Sequence, residues 1–373
     1  MRRFLRLLLV PLLLPLSAAW GQTSSPPQLQ PRPANPPPES AGPQISLDVR
    51  VTDKSGALVR GLQEGDFVIL DDKRPQKIVS FQAAESGPDG PPVEIMVVID
   101  TVNASYVAIS RARDQLKAFL LQNGGKLPQP VSLAIFSDAG LQTQNGATRD
   151  GNALAAKFDQ EAGALRTERR SQGVYGAEDR LNLSLNALIQ LVDAEKRRPG
   201  RKLMIWISPG WPLLSGPNLI FSPKQEHQIF DSIVGISAQL RQARVTLYSV
   251  DPLGLADAAS TQTTYYKEFV KGVSQPTQAL PGYLGLQVLA IQSGGLVLNS
   301  SNDLTAAIAT CAADAQSFYV LSFNAPPPDK PNQYHTIAVR VEKTGVTART
   351  RNGYYDQMPE QRPSPANFNI PVQ

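Results

Sequence analysis

A strand that looks buried and ends on a carboxylate is the first feature of this sequence that could do chemistry. The apolar run Ile95–Ile99 leads directly into Asp100, and Asn103 and Ser105 follow in a small polar loop. Carboxylate and hydroxyl oxygens are the ligands that a hard cation such as Mg²⁺ takes in proteins. The same oxygens cap helices and hold loops, because they accept hydrogen bonds from backbone amides. The sequence therefore leaves two roles open for Asp100: it binds a ligand, or it caps the helix that follows while Asn103 and Ser105 satisfy the loop backbone.

A second candidate position lies at the end of another apolar stretch. Ser208 ends the run that begins at Lys202, and Trp211 follows three residues later. The carboxyl ends of parallel strands meet at one edge of an open sheet, where such folds bind their ligands. We therefore expect Asp100 and Ser208 to share that edge. An exposed Trp211 beside them would suit a protein contact, with local packing as the alternative.

Groups suited to catalysis are scarce. His227 and His335 are the two histidines, and they fall in a helical and a β pattern rather than in loops at this edge. Cys311, the single cysteine, lies among small apolar residues typical of a packed helix, and alone it can form no internal disulfide. The sequence contains no HExxH, no GxSxG and no Gly-rich phosphate loop after a strand. We predict no catalytic residues and no enzymatic activity, with a hydrolase of unrecognised site as the alternative.

The elements that would position these residues alternate between strand and helix across residues 93–315. Near-continuous apolar strands separated by amphipathic helices predict an α/β domain, with an open, mostly parallel sheet and helices on both faces. Residues 140–148 could add one short antiparallel edge strand. The predicted strands are 94–100, 131–137, 202–208, 244–250 and 295–300, and the predicted helices are 106–122, 179–197, 223–244 and 303–316.

Residues 44–86 and 316–356 carry antiparallel β patterns on either side of this domain. Apolar and polar residues alternate strictly from Ile45 to Thr52, as in a half-buried strand. The simplest way to give both segments one core is to pair them. We therefore predict a small β-sandwich built from the N- and C-terminal strands, with the α/β domain inserted in it or flanked by it.

The N-terminus has the layout of a secretory signal peptide. Residues 1–21 contain three arginines, an apolar stretch and then small residues, and a Pro-rich, disordered linker is predicted for 22–43. Residues 357–373 are predicted to be a disordered tail. We expect a secreted or periplasmic protein with no transmembrane segment after the signal is removed; the alternative is an uncleaved membrane anchor. The mature chain would be almost neutral, which gives no electrostatic reason to expect nucleic acid as a partner.

Several stretches together carry a family resemblance. The strand–Asp–helix opening at Asp100, "VSLAIFSD" and "RKLMIWISPGWP" resemble the von Willebrand factor A domain. The flanking stretches "VTDKSGALVRGLQEGDFVILDDKRPQKIVSF", "LAIQSGGLVLNSSNDLTAAI" and "VTARTRNGYY" are similar to the von Willebrand factor A-related proteins abundant in Acidobacteria. The order of these stretches, from about Ile45 to Tyr355, carries the resemblance more than any one motif. It implies a von Willebrand factor A-like, Rossmann-like sheet.

The resemblance also implies where a metal ion would bind. Metal-binding members use a DxSxS loop after the first strand, a Thr from a later loop and a second Asp after the fourth strand. Asp100 matches the first Asp, but Val102 and Ala104 occupy the two serine positions and Pro209 the second aspartate. No Thr equivalent is convincing. The resemblance therefore implies a degenerate metal site.

The expected function follows from these residues. We predict no cofactor and a protein partner of unknown identity, bound as in adhesion or assembly at an edge formed by Asp100, Asn103, Ser105, Ser208 and Trp211. The alternative is a Mg²⁺-dependent adhesion module in which a rearranged loop brings Ser105 to the ion beside Asp100. A further carboxylate, Asp138, could then replace a missing ligand.

Overall fold

The computed structural model describes residues 43–85, 90–144, 146–161, 174–214, 220–254, 262–327 and 330–356. The predicted signal peptide at 1–21, the predicted linker at 22–43 except for its last residue, and the predicted tail at 357–373 lie outside these ranges. The strands are β1 (Gln44–Asp53), β2 (Phe67–Asp71), β3 (Arg74–Gln76), β4 (Ser80–Glu85), β5 (Val93–Asp100), β6 (Lys126–Ser137), β7 (Gly140–Thr143), β8 (Thr148–Asp150), β9 (Arg201–Ile207), β10 (Val245–Val250), β11 (Val297–Leu298), β12 (Ser317–Asn324), β13 (Tyr334–Val341), β14 (Val346–Arg349) and β15 (Gly353–Tyr355). The helices are α1 (Tyr106–Leu120), α2 (Gly151–Glu161), α3 (Val174–Lys196), α4 (Pro223–Gln242), α5 (Gln262–Tyr265), α6 (Leu286–Gln292) and α7 (Leu304–Ala313).

A mostly parallel sheet forms the centre of the α/β part. Its strand order is β11-β10-β9-β5-β6-β7, and β8 also pairs with β6. The pairs from β11 to β6 are parallel, whereas β7 and β8 run antiparallel to β6. The edge strand predicted at 140–148 is therefore present as β7. Every residue of β9 and β10 is buried, as expected for strands covered on both faces.

Helices cover the two faces of this sheet with separate cores. One core contains Ile109 and Leu116 of α1 with Ile308 of α7. The other contains Leu185 of α3 and Ile233 of α4. Helix α6, which the sequence analysis did not predict, also packs into this second core and is buried over nearly its whole length, so it shows no amphipathic period. None of the helices within the described ranges is long and apolar enough to cross a lipid bilayer.

Two four-stranded antiparallel sheets are formed from the segments that flank the α/β part. Their strand orders are β14-β1-β12-β4 and β15-β13-β2-β3. In the first sheet the N-terminal β1 pairs with the C-terminal β12, so that Ile45 lies opposite Phe323 and Leu47 opposite Leu321. The apolar faces of both sheets contribute to one further core, which includes Ile69 of β2. The polar face of β1 therefore points away from this core.

Candidate functional site

The sheet places Asp100 and Ser208 at the same edge. Asp100 is the last residue of β5, Ser208 directly follows β9, and these two strands are neighbours in the parallel sheet. Both side chains are completely buried. The predicted shared position is therefore present, but neither residue offers a surface to a partner.

Asp100 holds its own loop and a neighbouring strand. Its Oδ1 accepts hydrogen bonds from the backbone N–H groups of Val102 (3.0 Å) and Asn103 (2.9 Å). Its Oδ2 accepts from Nδ2 of Asn103 (2.9 Å) and from the indole Nε1 of Trp206 (3.0 Å). Both carboxylate oxygens are thus occupied by donors of the protein itself.

The strand register explains how Trp206 reaches this carboxylate. Val98 of β5 lies opposite Trp206 of β9, and Asp100 follows Val98 by two residues. Residues two apart in a strand share a face, and a large aromatic side chain reaches its diagonal neighbour across adjacent strands. Trp206 was expected to be a core residue and is fully buried, but its hydrogen bond to Asp100 was not predicted.

Aromatic rings enclose the carboxylate. Phe136 of β6 lies opposite Asp100 in the sheet register, and its ring is 5.9 Å from that of Trp206 in an edge-on arrangement. Burial raises the pKa of Asp100 above its ordinary value, and the hydrogen bonds from Trp206, Asn103 and Ser208 oppose that shift. The site is a buried carboxylate solvated by neutral donors.

Ser105, and not Asp100, caps α1. The Oγ of Ser105 accepts a hydrogen bond from the N–H of Ala108 (3.3 Å), which is the usual contact of an N-cap residue. The predicted helix cap at Asp100 is therefore wrong, because its carboxylate is engaged one turn earlier in the loop. Asn103 also donates from Nδ2 to Oγ of Ser184 on α3 (2.9 Å), a partner that the sequence analysis missed.

Trp211 lies inside the protein, which contradicts the expected exposed contact residue. It is 3 % exposed, and its ring packs edge-on against Trp206 with centroids 5.1 Å apart. Gly210 turns the chain inward with φ of 121°, a value that L side chains rarely adopt. The Nε2 of Gln287 on α6 donates to the carbonyl of Pro209 (3.2 Å) and holds this turn. The alternative of local packing is the observed one.

The residues at this edge do not fit a Mg²⁺ ion. Such an ion requires a near-octahedral shell of oxygens, but Val102 and Ala104 provide no side-chain oxygen and both oxygens of Asp100 already accept hydrogen bonds. Ser105 uses its Oγ for the cap of α1. Asp138 lies exposed in the turn between β6 and β7. The observed donors around Asp100 would have to leave before a cation could bind.

Three large apolar residues at this edge are exposed to solvent. Tyr106 and Val107, the first two residues of α1, are 71 % and 66 % exposed. Ile220, shortly before α4, is 82 % exposed. Because α1 follows β5 and α4 follows β9, all three residues lie at the carboxyl edge. We call Tyr106, Val107 and Ile220 the rim patch; the sequence analysis did not include them among the site residues.

The other groups that could do chemistry are engaged or buried. Cys311 is fully buried, and burial raises the pKa of its thiol well above the usual range. His227 is exposed on α4, where its Nδ1 contacts the carbonyl of Pro223 (2.8 Å).

His335 lies near Asp71 and Asp72 in a group that could suggest a metal site. Its Nδ1 is 3.0 Å from Asp71, and its Nε2 is 2.7 Å from Asp356. The hydrogen bonds to Asp356 and Asp71 raise the pKa of His335 to about 10. At neutral pH the ring is therefore a cation held between the carboxylates of Asp71 and Asp356.

Comparison with known proteins yields structural similarities only. No protein-family model matches the chain, and no curated protein matches it. The structure is similar to the human COPII-coat protein Sec24c, with 10 % identity, a TM-score of 0.32, and coverage of 71 % of this chain and 44 % of that one. It is also similar to the pilus adhesin SpaC from Lactobacillus rhamnosus GG in its open conformation, with 13 % identity, a TM-score of 0.35, and coverage of 82 % and 49 %.

A third similar structure is the SpRpn10 VWA domain. The identity is 13 %, the TM-score is 0.29, and the match covers 57 % of this chain and 93 % of that one. The present chain thus spans about half the length or less of the Sec24c and SpaC chains that it matches. At these TM-scores the similarities assign neither a partner nor a site to this chain.

Proposed function

We propose that this chain is an exported, non-catalytic protein-binding module that contacts its partner through the rim patch of a von Willebrand factor A-like sheet with a degenerate metal site. The single observation that carries the proposal is the exposure of Tyr106 and Val107 beside a carboxylate that has no free oxygen. Large exposed aromatic residues are frequent anchors of protein interfaces. Single exposed apolar residues are common on any surface, and here three of them, Tyr106, Val107 and Ile220, lie at one edge.

The lack of catalysis is part of the same proposal. Asp100 is enclosed by aromatic rings, Cys311 is buried, and His335 is held between carboxylates. None of these three groups is placed to touch a substrate at the carboxyl edge.

Site-specific photo-crosslinking tests the proposed contact. A photoreactive phenylalanine analogue replaces Tyr106 in the full chain, which is then irradiated in its native cell envelope. The control carries the same analogue at Leu121, which is 41 % exposed at the opposite end of α1. We expect one discrete crosslinked protein from position 106, lost when Val107→Ser and Ile220→Ser are added, and none from position 121. Equal crosslinking from both positions would contradict the proposal.

A further inference from the structure

A cleft rich in arginine lies at the opposite end of the parallel sheet from the rim patch. It has a volume of about 220 Å³ and is bounded by the polar face of β1, the first residues of β9 and β10, the end of α4 and the chain that follows β14. The charged residues that line it are six arginines and one aspartate: Arg50, Arg201, Arg241, Arg244, Arg349, Arg351 and Asp48. We call this site the arginine cleft.

Four of the six guanidinium groups have partners in the protein. Arg50 and Arg349 pair with the buried Asp314, and Arg244 pairs with Asp48. Arg201 donates from Nη1 to the carbonyl of Asp314 (2.9 Å). The Tyr248 hydroxyl also donates to Asp314 (2.7 Å), so three side chains share that carboxylate.

Arg351 and Arg241 have no such partner. Arg351 is 9 % exposed and lines the cleft, yet within the described ranges it forms no ion pair and donates no hydrogen bond. Burial, followed by the positive charge of Arg241, lowers the pKa of Arg351 to about 10, and the charge of Asp48, which pairs with Arg244, opposes this shift. A buried cation without a direct ion pair is costly, and a second cation beside it adds repulsion.

Further donors in the cleft are also unsatisfied. The Nε atoms of Arg201 and Arg244 and the Oγ1 of Thr350 are buried and have no hydrogen-bond partner in the part of the chain that the structure describes. Unsatisfied buried donors in a folded protein call for an explanation, such as an ion or water that completes the site. With Asp48 and Asp314 as the carboxylates that pair with these arginines, the cleft retains an excess of positive charge.

We infer that the arginine cleft binds a small phosphate-class anion, either inorganic phosphate or a phosphate monoester, between Arg241 and Arg351. The guanidinium fork matches phosphate oxygens in pairs. Guanidinium groups reach the cleft from separate walls, the end of α4 and the chain after β14, so a tetrahedral anion with oxygens in several directions suits them better than a planar carboxylate. The inference is independent of the rim patch and goes beyond the proposed function.

A structural explanation competes for Arg241 but not for Arg351. Arg241 lies in the last turn of α4, where a cation stabilises the partial negative charge of the helix end. If that were its role, Arg241→Gln would lower the melting temperature of the free protein. If Arg241 serves an anion, the same change relieves its repulsion with Arg351, so the free protein keeps or gains stability while anion binding weakens.

Titration calorimetry and thermal unfolding of the mature full chain test the inference. Inorganic phosphate, glycerol phosphate and succinate are added in chloride buffer at constant ionic strength. We expect phosphate or its ester to bind and to raise the melting temperature, and succinate to do so much less. Arg351→Gln and Arg241→Gln should each weaken binding about tenfold, the effect of losing one hydrogen bond to a charged group. The matched control is Arg340→Gln, an exposed arginine on β13, which should bind as the wild type does.

The relative affinities of the three anions show which class of ligand the cleft binds. Preference for phosphate over glycerol phosphate, or the reverse, identifies the source of the anion, and either supports the inference. Tighter binding of succinate would overturn the assignment to a phosphate-class ligand. No binding of any of the three, or an equal loss in Arg340→Gln, would overturn the site. Should Arg351→Gln fail to fold, Arg241→Gln alone carries the test.

Discussion

The carboxyl edge of the parallel sheet and the arginine cleft at its amino end differ in how their buried charged groups are satisfied. At the edge, a single buried carboxylate, Asp100, is surrounded by neutral donors that satisfy both of its oxygens. In the cleft, several cations lie close together, and Arg351 and Arg241 form no ion pair within the described ranges. Asp100 therefore has no free oxygen for a cation, whereas the cleft has guanidinium groups that can bind an anion.

The two sites differ in which of them can bind a charged ligand. Asp100 occupies the position that the resemblance associates with a metal ion. It is completely buried there, and the indole of Trp206 and the backbone N–H of Val102 donate hydrogen bonds to its carboxylate. Arg351 belongs to no sequence motif, yet it is buried and forms no ion pair or hydrogen bond within the described ranges. Unsatisfied groups are thus a better guide here than the position of one residue.

The largest effect is expected from removing the shared anion behind the cleft. Asp314→Asn leaves the guanidinium groups of Arg50 and Arg349 buried without a counter-charge. Breaking a buried ion pair in this way costs about 3–5 kcal/mol of unfolding free energy. Urea denaturation measures the loss, and Asp159→Asn, which breaks exposed pairs with Lys117 and Arg113, should lose far less. Equal losses would mean that Asp314 does not balance the cleft.

The next effect concerns the carboxylate at the edge. The helix-cap interpretation predicts that Asp100→Asn is mild, because Asn caps a helix about as well as Asp. The structure predicts the opposite, since the new NH₂ group would face the donor of Trp206 or those of the loop. We expect a loss of roughly 1–3 kcal/mol, the cost of leaving a buried donor unpaired.

A double-mutant cycle isolates the contact between Asp100 and Trp206. Trp206→Phe removes the indole donor and keeps an aromatic ring in the core. If the hydrogen bond exists, Asp100→Asn and Trp206→Phe should be non-additive by at least about 0.5 kcal/mol in urea denaturation. Asp138→Asn, at the exposed neighbouring turn, should add to Trp206→Phe without coupling. Additive effects of Asp100→Asn and Trp206→Phe would show that the two side chains do not form this hydrogen bond.

A further effect comes from the paired histidine and depends on pH. The folded pKa of His335 is about 10, above the unfolded value of 6.5. A group with a raised folded pKa stabilises the protein fully below the unfolded pKa and loses that contribution as the pH rises towards the folded one. We therefore expect the stability difference between wild type and His335→Gln to shrink between pH 6.5 and 10. Urea midpoints at several pH values measure this.

The control for that prediction is a substitution on the same strand that involves no titratable side chain. Ala338→Ser, at an exposed position on β13, should change the stability by the same small amount at every pH. A constant difference for His335→Gln as well would show that its contacts with Asp71 and Asp356 do not hold it protonated.

The regular elements could be predicted from the sequence because their periodicity is strong. The strict alternation from Ile45 to Thr52 predicted β1, and the continuous apolar runs predicted β5, β9 and β10. Helix α6 was missed, because a short, fully buried helix has no polar face to reveal its period. The limits of the predicted domains stay predictions.

The candidate site could be predicted only in its position along the chain. That Asp100 and Ser208 share an edge follows from parallel topology, but their burial depends on rings that come from other strands. The contact of Trp206 with Asp100 requires the register of β5 against β9, which the sequence does not reveal. The inward turn at Gly210, which buries Trp211, likewise depends on Gln287 of α6.

¹H–¹⁵N NMR of the Trp206 indole tests whether the protein's own donors or a metal ion satisfy the carboxylate of Asp100. The resonance is assigned by its loss in Trp206→Phe, and paramagnetic Mn²⁺ is then titrated into the wild type as a substitute for Mg²⁺. If Asp100 is satisfied by Trp206 and not by a metal ion, the indole signal keeps its position and intensity, and EDTA changes nothing. Selective loss of that signal at low Mn²⁺ concentration, reversed by EDTA and absent in Asp100→Asn, would show that the carboxylate binds a metal ion.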